Sequence, residues 1–108
     1  MEMQKKIEKL EAKIRKIQGE LMATGPMRPG TLSQQYRKPA EKAGPFWQLS
    51  YTYQMKSRSE YVRPESLARI RKETANFKKW KALLEKWTAL ELERSQLISD
   101  AEKSAGKS

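Results

Sequence analysis

FWQLSYTYQMKSRSEYVR, residues 46–63, decides the fold. Phe46 to Tyr53 are dense in aromatic and β-branched residues and alternate in polarity, the signature of a half-buried strand. SEYVR (residues 59–63) returns as a second strand, which predicts a β-hairpin over 46–63 with Gln54-Met55-Lys56-Ser57 as its turn. That even-length loop would pair Tyr53 with Arg58, Tyr51 with Glu60 and Leu49 with Val62. Trp47, Leu49 and Val62 then share one face, and Ser50, Thr52, Ser59, Tyr61 and Arg63 the other. A lone hairpin is marginal in water, so the Trp47–Leu49–Val62 face must rest on a helix.

That helix is expected over residues 64–103, with 104–108 as a frayed tail. Pro64 suits a first helical position and Glu65 complements the dipole there. No further Pro or Gly occurs until Gly106. Leu67, Ile70, Thr74 and Phe77 begin an apolar stripe; Trp80, Leu84 and Trp87 continue it displaced by one residue; Leu83, Leu90, Leu97 and Ile98 complete it. The change of phase means the seam is not a uniform heptad. Trp47, Trp80 and Trp87 all fall on apolar stripes and read as core anchors.

Upstream, residues 2–23 predict a shorter helix. Met3, Ile7, Leu10, Ile14, Ile17 and Leu21 alternate spacings of four and three, an a/d seam. This seam has two readings: it joins a second copy, with Leu84, Trp87, Leu90 and Leu97 completing a dimer interface, or it packs on the chain's own second helix. Residues 24–45 hold four of the five prolines and three of the five glycines. They predict an ordered basic loop, with room for a short strand near Thr31–Ser33. The expected fold is α+β in a single domain, residues 1–108. An N-terminal helix, a central β-hairpin and a long C-terminal helix form a helical-hairpin or coiled-coil-like, oligomeric assembly.

Charge is unevenly placed. Lys and Arg exceed Asp and Glu by 2 in residues 1–22 and by 9 in 23–86, and fall short by 1 in 87–108. Lys72, Lys79 and Lys86 recur every seven residues along one side of the second helix, with Arg71 and Lys78 beside them. Arg28, Arg37, Lys38, Lys42, Lys56 and Arg58 extend the excess over the loop and hairpin. Such a concentration suits a polyanion, most commonly nucleic acid, although a lysine row also serves as a solvated outer face. Tyr51 and Tyr53 offer rings for base stacking or, equally, complete a cross-strand ladder. A two-stranded ribbon fits a DNA groove, which tips the choice from RNA toward duplex DNA.

Other classes are disfavoured. There is no Cys and no His, which removes disulfides, thiolate nucleophiles, zinc fingers and imidazole acid–base chemistry. No acidic cluster suggests a carboxylate-only metal site, no glycine spacing suits a nucleotide loop, and no small-molecule substrate is indicated. No cofactor, metal or enzymatic activity is expected. The longest apolar runs are only a few residues, too short for a membrane span. MEMQKKIEKL lacks the apolar stretch of a signal peptide, so the cytoplasm is the expected compartment.

From Leu21 to Leu97 the chain resembles a family of short prokaryotic proteins known only as a domain of unknown function. The landmarks are Gly30-Thr31-Leu32, Lys38-Pro39, Gly44-Pro45-Phe46-Trp47, Tyr61-Val62 before Pro64, and Asn76-Phe77. In many such relatives the stretch between Lys-Pro and Gly-Pro carries closely spaced cysteines and a histidine, like a metal knuckle. Pro39-Ala40-Glu41-Lys42-Ala43-Gly44 offers none of these ligands, so a zinc role does not carry over. The resemblance implies the helix–hairpin–helix order and no activity. The resulting expectation is a non-enzymatic, dimeric DNA-binding accessory or regulatory factor. The alternative is an adaptor that uses its coiled-coil seams to bind an acidic protein.

Overall fold

Gln54 and Met55 both take positive φ, 52° and 64°. Two such residues form the two-residue loop whose twist matches that of the flanking strands. In the computed structural model, which describes residues 2–106, this loop joins β2 (Ala43–Tyr53) to β3 (Lys56–Val62). Tyr53 pairs with Lys56, Tyr51 with Arg58, Leu49 with Glu60 and Trp47 with Val62. The register is therefore two residues away from the expected pairing of Tyr53 with Arg58, because the loop has two residues rather than four. Side chains alternate with a period of two, so this shift leaves every residue on its expected face.

The segment expected as a loop, residues 24–45, contains a third strand. β1 (Thr31–Lys38) pairs antiparallel with β2, setting Leu32 opposite Leu49 and Tyr36 opposite Pro45. A single 3-10 turn at Pro39–Glu41 follows, and Lys42 (φ 51°) and Gly44 (φ 65°) bring the chain into β2. The sheet order is β1-β2-β3, so β2 is central rather than half of an isolated ribbon. Thr31 pairs with Ser50, and the three rungs beyond Ser50–Ser59 extend past β1 as a two-stranded tip.

The long helix α2 spans Leu67–Gly106, after a 3-10 turn at Pro64–Ser66. Its start lies three residues later than expected and its end reaches into the expected tail. The chain forms two compact units, one built on residues 25–79 and the other on residues 1–24 with α2 from Trp80 onward. In the first, one face of the sheet lies on α2. Leu49 is fully buried with Val62 and Ile70, and Leu32, Trp47, Tyr51 and Leu67 pack around them. Buried Thr74 satisfies its hydroxyl on the Ile70 carbonyl at 3.0 Å. The segment before β1 is tied to α2: the Arg28 amide donates to the Glu73 carbonyl (3.2 Å) and the Asn76 side-chain amide to the Pro26 carbonyl (2.9 Å).

The second unit is an antiparallel helix pair. α1 (Glu2–Met22) ends where the Thr24 hydroxyl turns back onto the Glu20 carbonyl at 3.1 Å, and Gly25-Pro26 bars continuation. Leu21 and Gln18 line a cavity with Trp87, Ile17 lines one with Leu90, and Leu10 lines one with Leu97. Leu10, Ile14 and Leu83 are buried. Of the two readings of the N-terminal seam, packing on the chain's own second helix is the one seen.

Candidate nucleic-acid interface

Residues 25–79 carry twelve Lys and Arg against four Glu. Two of those cations have a carboxylate within 4.0 Å: Arg28 with Glu60 (3.6 Å) and Arg69 with Glu73 (3.0 Å). Among the described residues, no carboxylate lies that close to Arg37, Lys38, Lys42, Lys56, Arg58, Arg63, Arg71, Lys72, Lys78 or Lys79. Exposed cations without counter-charges are free to neutralise phosphates, which releases the counterions condensed on a nucleic acid.

These cations occupy distinct places. Ile70 and Thr74 face the sheet, and at about 100° per residue Lys72 and Lys79 fall on the opposite side of α2, with Arg71 and Lys78 on one flank. Arg71 does not reach into solvent alone; its guanidinium lies 4.7 Å from the Trp47 ring centroid. Lys38 and Lys42 border the turn between β1 and β2. Arg37 is opposite Gly44, where any side chain would press on it: a Cβ at Gly44 would stand 3.1 Å from Arg37 Cβ. Lys86 belongs to the helix-pair unit, in a groove with Lys13, Lys16, Ile17, Glu20, Ala89 and Leu90. Lys72, Lys79 and Lys86 thus divide between two units. Of the expected seam residues, Ile7, Ile17, Leu21, Leu84, Trp87, Leu90 and Leu97 are half-buried, while Leu10 and Ile14 are buried.

The two tyrosines separate. Tyr51 is part of the packed face: its phenol donates to Glu60 Oε1 at 2.8 Å, and Arg28 lies 5.0 Å from its ring centroid. The hydrogen bond to Glu60 raises the Tyr51 pKa above the usual phenol value, with desolvation and the Glu60 charge acting in the same direction. Arg28 covers the Tyr51 ring and Glu60 holds its hydroxyl, so this tyrosine already has partners within the chain. Tyr53 is on the protruding tip and is 58% exposed. Beside it are Lys56, Arg58 and Met55, the last 98% exposed.

Sequence reasoning passed over Met55 and Phe46. Gln54 and Met55 in left-handed conformation each cost roughly 1 kcal/mol relative to glycine, and Met55 gains no contact in return. The signal in the sequence is the absence of Asn-Gly between two good strands, which leaves a bulky apolar residue at the turn. Phe46 and Tyr61 meet on the sheet face away from α2, ring centroids 6.3 Å apart. Around them Ser33, Gln35, Gln48, Ser50, Thr52, Ser57 and Ser59 make that face polar and free of carboxylates.

Among the described residues no group of three or more His, Cys, Asp or Glu side chains converges on a common point, and no helix is long and apolar enough to cross a membrane.

The molecule is an α+β protein with an N-terminal helix, a three-stranded antiparallel sheet and a long C-terminal helix. The model of a protein family described as a domain of unknown function, DUF6788, matches residues 1–72, and the chain belongs to that family. The match covers α1, the whole sheet and the first residues of α2. No curated protein and no solved structure matches the chain.

Proposed function

We propose that this protein is a non-enzymatic nucleic-acid-binding factor, an accessory or regulatory component of the prokaryotic cytoplasm that works as a dimer. The ten cations of residues 25–79 without a carboxylate partner carry this reading. Lys72, Lys78 and Lys79 on α2 and Lys56 and Arg58 on the hairpin tip supply phosphate contacts. Ile17, Leu84, Trp87 and Leu90, left half-exposed on the helix pair, support a dimer.

Titration of a fluorescent duplex with the protein at several salt concentrations tests this. Affinity falls steeply with salt, and each phosphate contact removed lowers the log–log slope by about 0.9. Lys72→Gln, Lys79→Gln and Arg58→Gln each weaken binding. Binding that ignores salt, or three variants indistinguishable from the parent, defeats the proposal.

One observation favours a second reading, an adaptor for an acidic protein. The two sides of the helix pair differ in charge. Lys6, Lys9, Lys13, Lys16 and Lys86, against Glu20 and Glu93, border the side floored by Leu10, Ile17, Leu90 and Leu97, so lysines exceed acids there. Glu11, Arg15, Glu91 and Arg94 balance on the other. A basic, apolar-floored groove suits an acidic amphipathic helix. Capture of such a peptide, weakened by salt and lost when the groove lysines are neutralised, with no retention of DNA favours the adaptor.

A further inference from the structure

Met55 is the least sheltered large apolar side chain of the described residues and also sits in a backbone conformation that methionine disfavours. Its exposure is 98% and its φ is 64°. The two-residue loop requires the positive φ, but nothing in the fold requires a methionine to supply it. Glycine would relax the turn and a polar residue would suit the solvent, so both costs fall on one position with no internal return. Backbone strain of this kind is kept where a surface acts on something outside the chain.

The surroundings indicate what that is. The tip projects past the end of β1, because Thr31 pairs with Ser50 and the rungs Tyr51–Arg58, Thr52–Ser57 and Tyr53–Lys56 have no third strand beside them. It is one hairpin wide. Residues 51–59 contain Lys56 and Arg58 and no Asp or Glu. Tyr53 stands half-exposed next to the turn. An apolar point with two cations on one face beside it, Lys56 and Arg58 being two residues apart on β3, matches one common target: stacked bases bordered by a phosphate rail. A pocket on a protein would accept the methionine but would not by itself call for cations with no acid among them.

We infer that the hairpin tip is a wedge for duplex DNA, with Met55 entering between two base pairs from the minor groove while Lys56 and Arg58 hold the adjoining phosphates. Insertion of an apolar side chain partly unstacks a step and kinks the duplex toward the major groove. Steps that unstack readily, TA above all, take the wedge best. This inference rests on the nucleic-acid reading and adds to it a mode of binding and a deformation.

The test uses the full chain and a duplex of about 20 base pairs with a central TA step. 2-Aminopurine replaces the adenine of that step, and a donor and an acceptor dye label the two ends. The parent protein raises both 2-aminopurine fluorescence and end-to-end energy transfer. Met55→Gly removes the wedge and relaxes the turn together, so the variant melts at a higher temperature than the parent. Its affinity at fixed salt stays within about tenfold, yet both optical signals vanish. Met55→Leu, which keeps an apolar point, retains them.

The failures are distinguishable. If the parent binds the duplex with a steep salt dependence but changes neither signal, or if Met55→Gly bends DNA as the parent does, the wedge is refuted and the nucleic-acid reading stands. If the parent does not bind the duplex at all, both fall.

Discussion

Gly30 and Gly19 show how one residue type answers to two physical demands. Gly30 has φ 144°, and a Cβ there would lie 2.5 Å from Leu49 Cδ1, the most buried side chain of the sheet unit. Gly30→Ala therefore combines backbone strain with overpacking and should cost about 3 kcal/mol. Gly19 is inside α1 with nothing within 4 Å of its Cβ position. Gly19→Ala should stabilise by about 0.5–1 kcal/mol. Urea titrations of the two variants check both signs. Tyr51 adds a pH test. Its neutral phenol donates to Glu60, and its pKa is raised chiefly by that bond. A raised folded-state pKa stabilises fully below the unfolded value of 10.0, and the contribution is lost as pH climbs through the folded value. Thermal stability of the parent should thus drop more than that of Tyr51→Phe at strongly alkaline pH. The ultraviolet phenolate titration of the variant should lack its late-ionising component. Equal alkaline losses in both proteins would contradict the hydrogen bond's role.

At the scale of elements, apolar spacing made the helices legible and polar composition hid most of a strand. The seam from Met3 to Leu21 marks α1 to within a residue of Glu2–Met22, because a two-helix interface needs little beyond an a/d stripe. The hairpin faces were legible because Trp47, Leu49 and Val62 alternate with polar residues. β1 was legible only at its start, where room was left for a short strand near Thr31–Ser33: Thr31–Lys38 reads TLSQQYRK between prolines, and its edge position lets polar side chains face solvent. Its full length comes from pairing with β2, a long-range contact that the local pattern does not reveal. The hairpin register was missed for a similar reason, since Gln54-Met55 carries no turn signature and only the backbone shows both residues at positive φ. Of the candidate interface, the concentration of charge was plain from composition. The internal use of Arg28, Tyr51 and Arg71 was not, because it depends on which face α2 covers. The helix pair itself is testable. Ile14 is buried between the helices, whereas Leu92 is 68% exposed. Ile14→Ala should lower stability by about 3 kcal/mol and Leu92→Ala by no more than about 0.5 kcal/mol, measured by chemical denaturation. Comparable losses at both sites would mean that the outer side of α2 is covered too.

For the whole molecule, net charge sets two salt effects of opposite sign. The chain carries +10 at neutral pH. The ion pairs among the described residues are Arg28–Glu60, Arg69–Glu73 and Arg94–Glu91. All are partly exposed, and exposed pairs contribute little, about 0–1 kcal/mol each. Repulsion among the remaining cations acts against the compact state. Raising ionic strength from about 0.01 M to 0.15 M shortens the screening length from about 30 Å to 8 Å. Repulsion across the cationic middle of the chain is then largely removed, while three weak pairs are lost. The repulsive term is the larger, so the melting temperature should rise with added salt. The same salt should weaken duplex binding, because each counterion released from the duplex gains less entropy in a more concentrated bath. A stoichiometric duplex added at low salt should raise the melting temperature, and this gain should shrink as salt increases, since a ligand of the folded state stabilises less as its Kd rises. Differential scanning calorimetry with and without duplex across a salt series reads both effects in one experiment. A melting temperature that falls with salt in the absence of DNA would mean that the ion pairs outweigh the repulsion. The loosely compensated charge of residues 25–79 would then be a weaker driving force for polyanion binding than its count implies.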